Sequence, residues 1–147
     1  MNLSKNTNID QILGYFAAGV TKRTSTIIDM SGFEGVIFIA ALGTILENGT
    51  LDVFVEQNPV NSGTGMARVA GQTVYTVTAA DALKTQSYIA RDIYQPEERY
   101  LQCNITPAVA NAVILGITAI RYCMRKAPSV QAANCLQAIL LGSPAEA

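Results

Sequence analysis

The chain has 147 residues, half of them hydrophobic and 14% charged, with a formal net charge of -1 and no histidine. That balance excludes an electrostatic footprint for nucleic acid, and the missing histidines exclude histidine-based triads and the commonest zinc sites. A charge fraction well below the roughly 25% of ordinary soluble domains suggests that other chains cover part of the surface.

Residues 1–8 are rich in Asn, Ser and Thr and are expected to belong to a flexible arm over 1–11. The start is polar and lacks the apolar core of a signal peptide. No apolar stretch reaches the about 18 residues of a membrane helix, so folding in a cytoplasm is expected. Over 9–19 two patterns coexist. Ile9, Ile12, Leu13, Phe16 and Ala17 follow helical spacing, with Asn8 as a cap and Gly19 as a stop. Ile12–Ala18 also reads as a strand with a central glycine, and the strand is favoured, folded back at 19–23 onto 24–30. Thr26-Ile27-Ile28 is a β-branched run ending at Asp29, and Ser31-Gly32-Phe33-Glu34-Gly35 is a turn signal. Val36–Leu42 is an apolar run of strand length. Asn48-Gly49 is the dipeptide that type I′ hairpins prefer. After it, Leu51, Val53 and Val55 alternate with Asp52, Phe54 and Glu56, the pattern of a strand with unlike faces.

Residues 58–66 form a loop rich in Asn and Gly. Ala67–Ala70 and Thr73–Val77 are short strand candidates, and 79–84 can make one helical turn. Ser87–Tyr94 alternates, with Tyr88, Ala90, Asp92 and Tyr94 opposite Ile89, Arg91 and Ile93. A turn at Gln95–Glu98 precedes a strand over Arg99–Thr106, which Pro107 is expected to interrupt. Asn111–Met124 is the longest apolar segment. Its Val113, Leu115, Ile117, Ala119 and Arg121 alternate with Ile114, Gly116, Thr118, Ile120 and Tyr122. Apolar residues on both faces imply a central strand or a sheet covered by a neighbour. Beyond Pro128, Val130, Ala133, Leu136, Gln137 and Leu140 follow helical spacing, with Ser129 as cap and Gly142 as stop. A short amphipathic helix over 129–141 is expected, packed at home or lying as an arm on a neighbouring subunit.

Roughly seven to nine short strands with hairpin-like connections predict an all-β fold, an antiparallel sandwich or jelly-roll-like barrel. The domain spans 12–128, with the arm before it and a helix or arm over 129–147. No catalytic constellation is visible. Gly63-Thr64-Gly65 lacks the rest of a phosphate-binding loop. The carboxylates are scattered, and Cys103, Cys123 and Cys135 form no metal-binding or disulfide pattern, although a Cys103–Cys123 contact across neighbouring strands is left open. No enzyme activity, cofactor or metal is expected. The six tyrosines either line the rims of the core or form a sugar or protein platform.

Three segments carry a resemblance. Ile28-Asp29-Met30-Ser31-Gly32-Phe33-Glu34-Gly35-Val36 resembles a pattern found in small structural proteins of tailed bacteriophages. Asp92-Ile93-Tyr94-Gln95-Pro96 with Arg99-Tyr100-Leu101 is similar to a second segment of those proteins. Ala110–Ile114, Ile120-Arg121-Tyr122 and Arg125-Lys126-Ala127-Pro128 resemble their closing strand and its end. The resemblance spans about residues 12–128; the tail beyond Pro128 departs from it. It implies a virion component, a capsid decoration (cement) protein on the capsid exterior. The partners would be the major capsid protein and the chain itself as a homotrimer or dimer, with no nucleic acid and no membrane. A head–tail connector, a tail component and a carbohydrate-binding virion surface module are the alternatives. The candidate contact residues are Tyr88 and Tyr94 on one strand face, Arg121, Arg125 and Lys126 near a strand end, and Leu136 and Leu140 on the C-terminal stripe.

Overall fold

In the computed structural model, which describes residues 2–125 and 130–139, a one-turn helix α1 (Leu3–Asn6) leads into β1 (Asn8–Leu13) and β2 (Phe16–Gly19). The two-residue strands β3 (Arg23–Thr24) and β4 (Ile28–Asp29) follow, then the long β5 (Gly35–Ile45) and β6 (Thr50–Asn58). After the short β7 (Ala67–Arg68) and β8 (Tyr75–Thr76) come α2 (Ala79–Ala82), β9 (Ser87–Tyr94), β10 (Tyr100–Ala108) and β11 (Ala112–Tyr122). The front sheet has the order β1-β11-β5-β9, with β2 also on β11. The back sheet has the order β3-β10-β6-β7, with β4 also on β10 and β8 on β6. All of these pairs are antiparallel. The chain is therefore a β-sandwich, and no strand pairing closes it into a barrel among the described residues.

Period-2 alternation builds the core. Val36, Phe38, Ala40 and Leu42 of β5 face Leu51, Val53 and Val55 of β6, joined by Leu101, Cys103 and Ile105 of β10 and by Ile117 and Ala119 of β11. Removing these side chains from water, at about 25 cal/mol per Å² of apolar surface, is the main force holding the sheets together. β10 runs through Pro107, which pairs with Leu51 of β6. The expected interruption does not occur because β3 and β4 flank β10 only up to Ile105, so a missing N–H beyond that point costs no ladder bond on that side.

Four expectations change. The turn at Asn48-Gly49 is not a hairpin turn: β5 lies in the front sheet and β6 in the back one, so it carries the chain across the sandwich. Only Asn48 has positive φ (64°), and Gly49 N–H donates to Leu46 O at 3.1 Å, as in a type II rather than a type I′ turn. Nor does the segment before residue 19 form a strand ladder with 24–30; a single backbone bond, from Thr26 N–H to Ile12 O (3.1 Å), joins them. β1 and β2 both pair with β11, while β3 and β4 pair with β10. The N-terminal segment is no loose arm over 1–11, because β1 begins at Asn8 and both Thr7 and Asn8 are buried. Residues 130–139 contain a turn and no helix; the ends of the expected helix lie outside the described residues. Instead this segment lies along α1 and β1. Asn8 Nδ2 donates to Val130 O (2.7 Å), Gln131 Nε2 to Thr7 O (2.8 Å), and Asn134 Nδ2 to Gln11 O (2.9 Å). The segment's own Gln131 and Asn134, with Asn8 of β1, hold it by hydrogen bonds in place of the apolar stripe, leaving Leu136 99% exposed.

No disulfide joins the three cysteines. Cys103 lies in the back sheet, and Cys123 follows the last strand of the front one. Burial pushes the Cys103 thiol up to about 12, far from ionising at neutral pH. A thiol-specific reagent at pH 8 is therefore expected to label Cys123 and Cys135 in the folded protein, and Cys103 only after denaturation. Labelling of Cys103 at a comparable rate without denaturant would show that the core opens readily.

Candidate functional site

The site is the outer face of the front sheet, and cross-strand register assembles it. Ile9, Ile120, Ile37 and Asp92 lie in one row across β1, β11, β5 and β9. Gln11, Thr118, Ile39 and Ala90 form the next row, and Ala41 stands beside Tyr88 in a third. At one end Tyr94 and Tyr122 flank Gly35, whose missing side chain lets the Tyr122 ring lie against the backbone. Tyr122 Oη donates to Asp92 Oδ1 at 2.5 Å. Burial first, and then that carboxylate, push the Tyr122 hydroxyl well above its ordinary pKa. Asp92 is the only charged side chain in these rows, so the middle of the face is half-buried isoleucine and alanine rimmed by exposed tyrosine.

A register shift between Ile114 and Gly116 determines which residues belong here. Simple alternation groups Val113 and Leu115 with Ile117 and Ala119. The shift instead sends Ala112, Ile114, Ile117 and Ala119 to the core, and it leaves Leu115 47% exposed on the outside. Residues 134–139 cover the β1 end of the face. A groove of about 390 Å³ runs there between Ile9, Gln11 and Thr118 on the sheet and Cys135, Ala138 and Ile139 on the covering segment. The β5–β9 half has no such cover among the described residues.

The candidate contact residues separate. Tyr88 (70% exposed) and Tyr94 (59% exposed) lie on this face. Six residues apart on one strand, they stand about 20 Å from each other, too far to sandwich one sugar ring. Arg121 points the other way. Its Nη1 donates to Asp29 O (2.6 Å), its Nη2 donates to Asn8 Oδ1 (2.5 Å), and its guanidinium stacks 5.0 Å from the Phe33 ring centre. Burial lowers its pKa from the ordinary guanidinium value. It is an internal clamp between β1, β4 and the turn after β4. Arg125 is exposed, with its backbone N–H on Gly32 O at 2.9 Å. Leu136 is on the covering segment, and Lys126 and Leu140 lie outside the described residues. Sequence reasoning missed Ile37, Ile39, Ile120 and Tyr122; the apolar residues on both sides of β11 were the available signal.

The segments 28–36 and 92–101 meet residues 120–125 of the third segment at one end of the sandwich, while its residues 110–114 lie at the other end of β11. Arg99 forms a two-pronged ion pair with Asp29 (both 2.8 Å), and Gln95 N–H donates to Glu34 O (2.7 Å). The Arg99 bond is the chief cause holding the Asp29 carboxyl below its usual pKa. These contacts fix a corner of the fold and leave no nucleophile beside a base. The other polar cluster is equally committed. Asp81 accepts from Lys84 Nζ, Tyr75 Oη, and both Thr78 Oγ1 and Thr78 N–H, which drive its pKa well below the carboxylate range. It caps α2 through a capping box and is a poor general base. Among the described residues no three Cys, Asp or Glu side chains are grouped to hold a metal ion, and no helix is long and apolar enough to cross a membrane.

No family model and no curated protein sequence matches this chain. Among solved structures it is similar to dimeric latent PorU from Porphyromonas gingivalis, at 10% sequence identity and a TM-score of 0.45. The match covers 81% of this chain and 13% of that one, and likeness at this level carries no argument about function.

Proposed function

We propose that this chain is a non-enzymatic virion structural protein of a tailed phage, a decoration protein that lays the outer face of its front sheet on the major capsid protein lattice. One observation carries the reading. The uncovered half of that face offers Ile37, Ile39, Ala41, Ala90 and Tyr88 with a single charged residue in its rows. Burial of such a face against a partner is favourable without leaving a charge stranded. Each copy contributes a modest contact, and a symmetric lattice multiplies it. The resemblance of three segments to phage structural proteins supports the choice of partner.

The test is co-sedimentation of the purified chain with expanded capsids that lack it. Saturable binding at a fixed ratio to capsid subunits is expected. Ile39→Lys puts an ammonium in the middle of the face and is expected to weaken binding at least about tenfold while the unfolding midpoint moves by only a few degrees. Absence of binding, with rings assembling from the chain alone, would move the assignment to a connector or tail component. Equal binding by Ile39→Lys would remove this face from the interface.

A further inference from the structure

The two sheets have four edges, and three are blunted. On the back sheet, β3, β4, β7 and β8 are two residues each, too short to template another strand. On the front sheet, residues 130–139 lie along β1, with Gln131 Oε1 accepting the Ile9 N–H at 2.8 Å. The fourth edge, β9, differs. It is eight residues long, pairs with β5 without a register shift, and has no strand on its other side among the described residues. It holds no proline, lysine or bulge; its inward-pointing charge, Arg91, is bound within its own chain. Gln95 N–H donates to Glu34 O, which sets the phase of the ladder. Ile89, Arg91 and Ile93 therefore bond β5, while Tyr88, Ala90, Asp92 and Tyr94 turn their amides and carbonyls outward.

We infer that β9 pairs antiparallel with β9 of a second copy across a two-fold axis at Arg91, joining two front sheets into one. This uses the backbone edge of β9, not the side chains of the outer face, and a different partner from the lattice contact proposed above. The register follows from the strand itself. An axis at Arg91 sets Tyr88 opposite the second copy's Tyr94 and Ala90 opposite its Asp92. All four outward residues of each strand then exchange backbone hydrogen bonds. It also forms two tyrosine–tyrosine cross-strand pairs, a favourable combination on a sheet surface. The Asp92 carboxylates face the small Ala90 and not each other. The two Arg91 side chains stay at home: Nε donates to Val53 O (3.0 Å), Nη2 to Thr73 O (3.0 Å) and Nη1 to the outward Ala90 O (3.1 Å), whose second lone pair accepts from the second copy. An axis one pair away, at Ala90, would face Tyr88 with Asp92 and break both tyrosine pairs.

An edge contact of this size sits at the small end of protein interfaces, so a dissociation constant in the micromolar range is expected. Sedimentation of the full chain from about 1 to about 500 µM is expected to show monomer passing to dimer. Ala90→Pro removes one outward N–H and no bond to β5, and is expected to raise the dissociation constant at least about tenfold. A second variant reads the register directly. Facing Arg91 residues would have Cα atoms about 4.5 Å apart, within disulfide range. In a Cys123→Ser, Cys135→Ser background, Arg91→Cys is expected to form a covalent dimer on mild oxidation, and Ala90→Cys much less. A chain that stays monomeric throughout the range, or that stops at a trimer, overturns the inference. So does a dimer in which Ala90→Pro leaves the affinity unchanged and Arg91→Cys does not cross-link. Sedimentation of the Ile39→Lys chain separates the two readings, because that substitution spoils the outer face on β5 and leaves the β9 edge, and therefore the dimer, intact.

Discussion

Phe38→Ala is expected to destabilise the fold by about 3–5 kcal/mol, the range for a fully buried phenylalanine. Phe38 is 0% exposed at the centre of β5, between Ala119 on β11 and Arg91 on β9. Ala119 on one side is too short to fill the hole, and Arg91 on the other is tied to Val53 O and Thr73 O. Against a total stability of about 5–15 kcal/mol for ordinary domains, the loss is large. For a domain of this length it corresponds to a fall of about 6–20 °C in unfolding midpoint, read by circular dichroism. Ile39→Ala, one residue along and on the outer face, is the control and is expected to cost less than about 1.5 kcal/mol. Equal losses at both positions would mean that the outer face is buried in solution by something not described here.

Gly116→Ala is expected to cost about 2–4 kcal/mol for a different reason. Gly116 has a φ of +147° at the register shift in β11. An added Cβ would stand 2.6 Å from Leu13 O and also against Gln11 Nε2. Neither neighbour yields easily: the first is backbone, and the second already donates to Leu13 O at 2.8 Å. The strand must unbend or β1 must move away. Hydrogen exchange is expected to rise at β1 and at the 130–139 segment resting on it, while β6 and β10 stay protected. Uniform loss of protection would instead show that β1 is integral to the cooperative unit.

These two positions also mark how far the sequence could be read. The burial of Phe38 follows from an apolar run in which every second residue meets the other sheet, and the extent of β9 follows in the same way, while β10 runs two residues past its expected end at Thr106. The fold class follows with them. What was not legible is which sheet each strand joins. Asn48-Gly49 fits a tight hairpin by local propensity, yet packing sends its two strands to opposite sheets, which no local signal records. The shift at Gly116 exchanges the faces of residues 113–115 relative to strict alternation, so Leu115 moves outside and Ile114 inside. Tyr88 and Tyr94 are legible as an exposed face because their strand alternates cleanly. Ile37 and Ile39 are not, because both sides of β5 are apolar and only tertiary structure says which is covered. Arg121 reads as a solvated strand-end cation. Its long stem instead brings the guanidinium to Asn8, Asp29 and Phe33, three positions distant in sequence.

The place of β11 has a consequence for synthesis. It is an inner strand of the front sheet and the last strand among the described residues, and β1 and β2 pair with it alone. Asn8 meets Arg121, so the first strand made has no partner until nearly the whole sandwich has been translated. The back sheet waits similarly, since β3 and β4 pair only with β10. A growing chain on the ribosome can hold β5 against β9, but it cannot close either layer early. Its apolar strands stay exposed until β11 has been made, and closure of the sandwich is then governed by long-range pairing, in the slow regime of milliseconds to seconds.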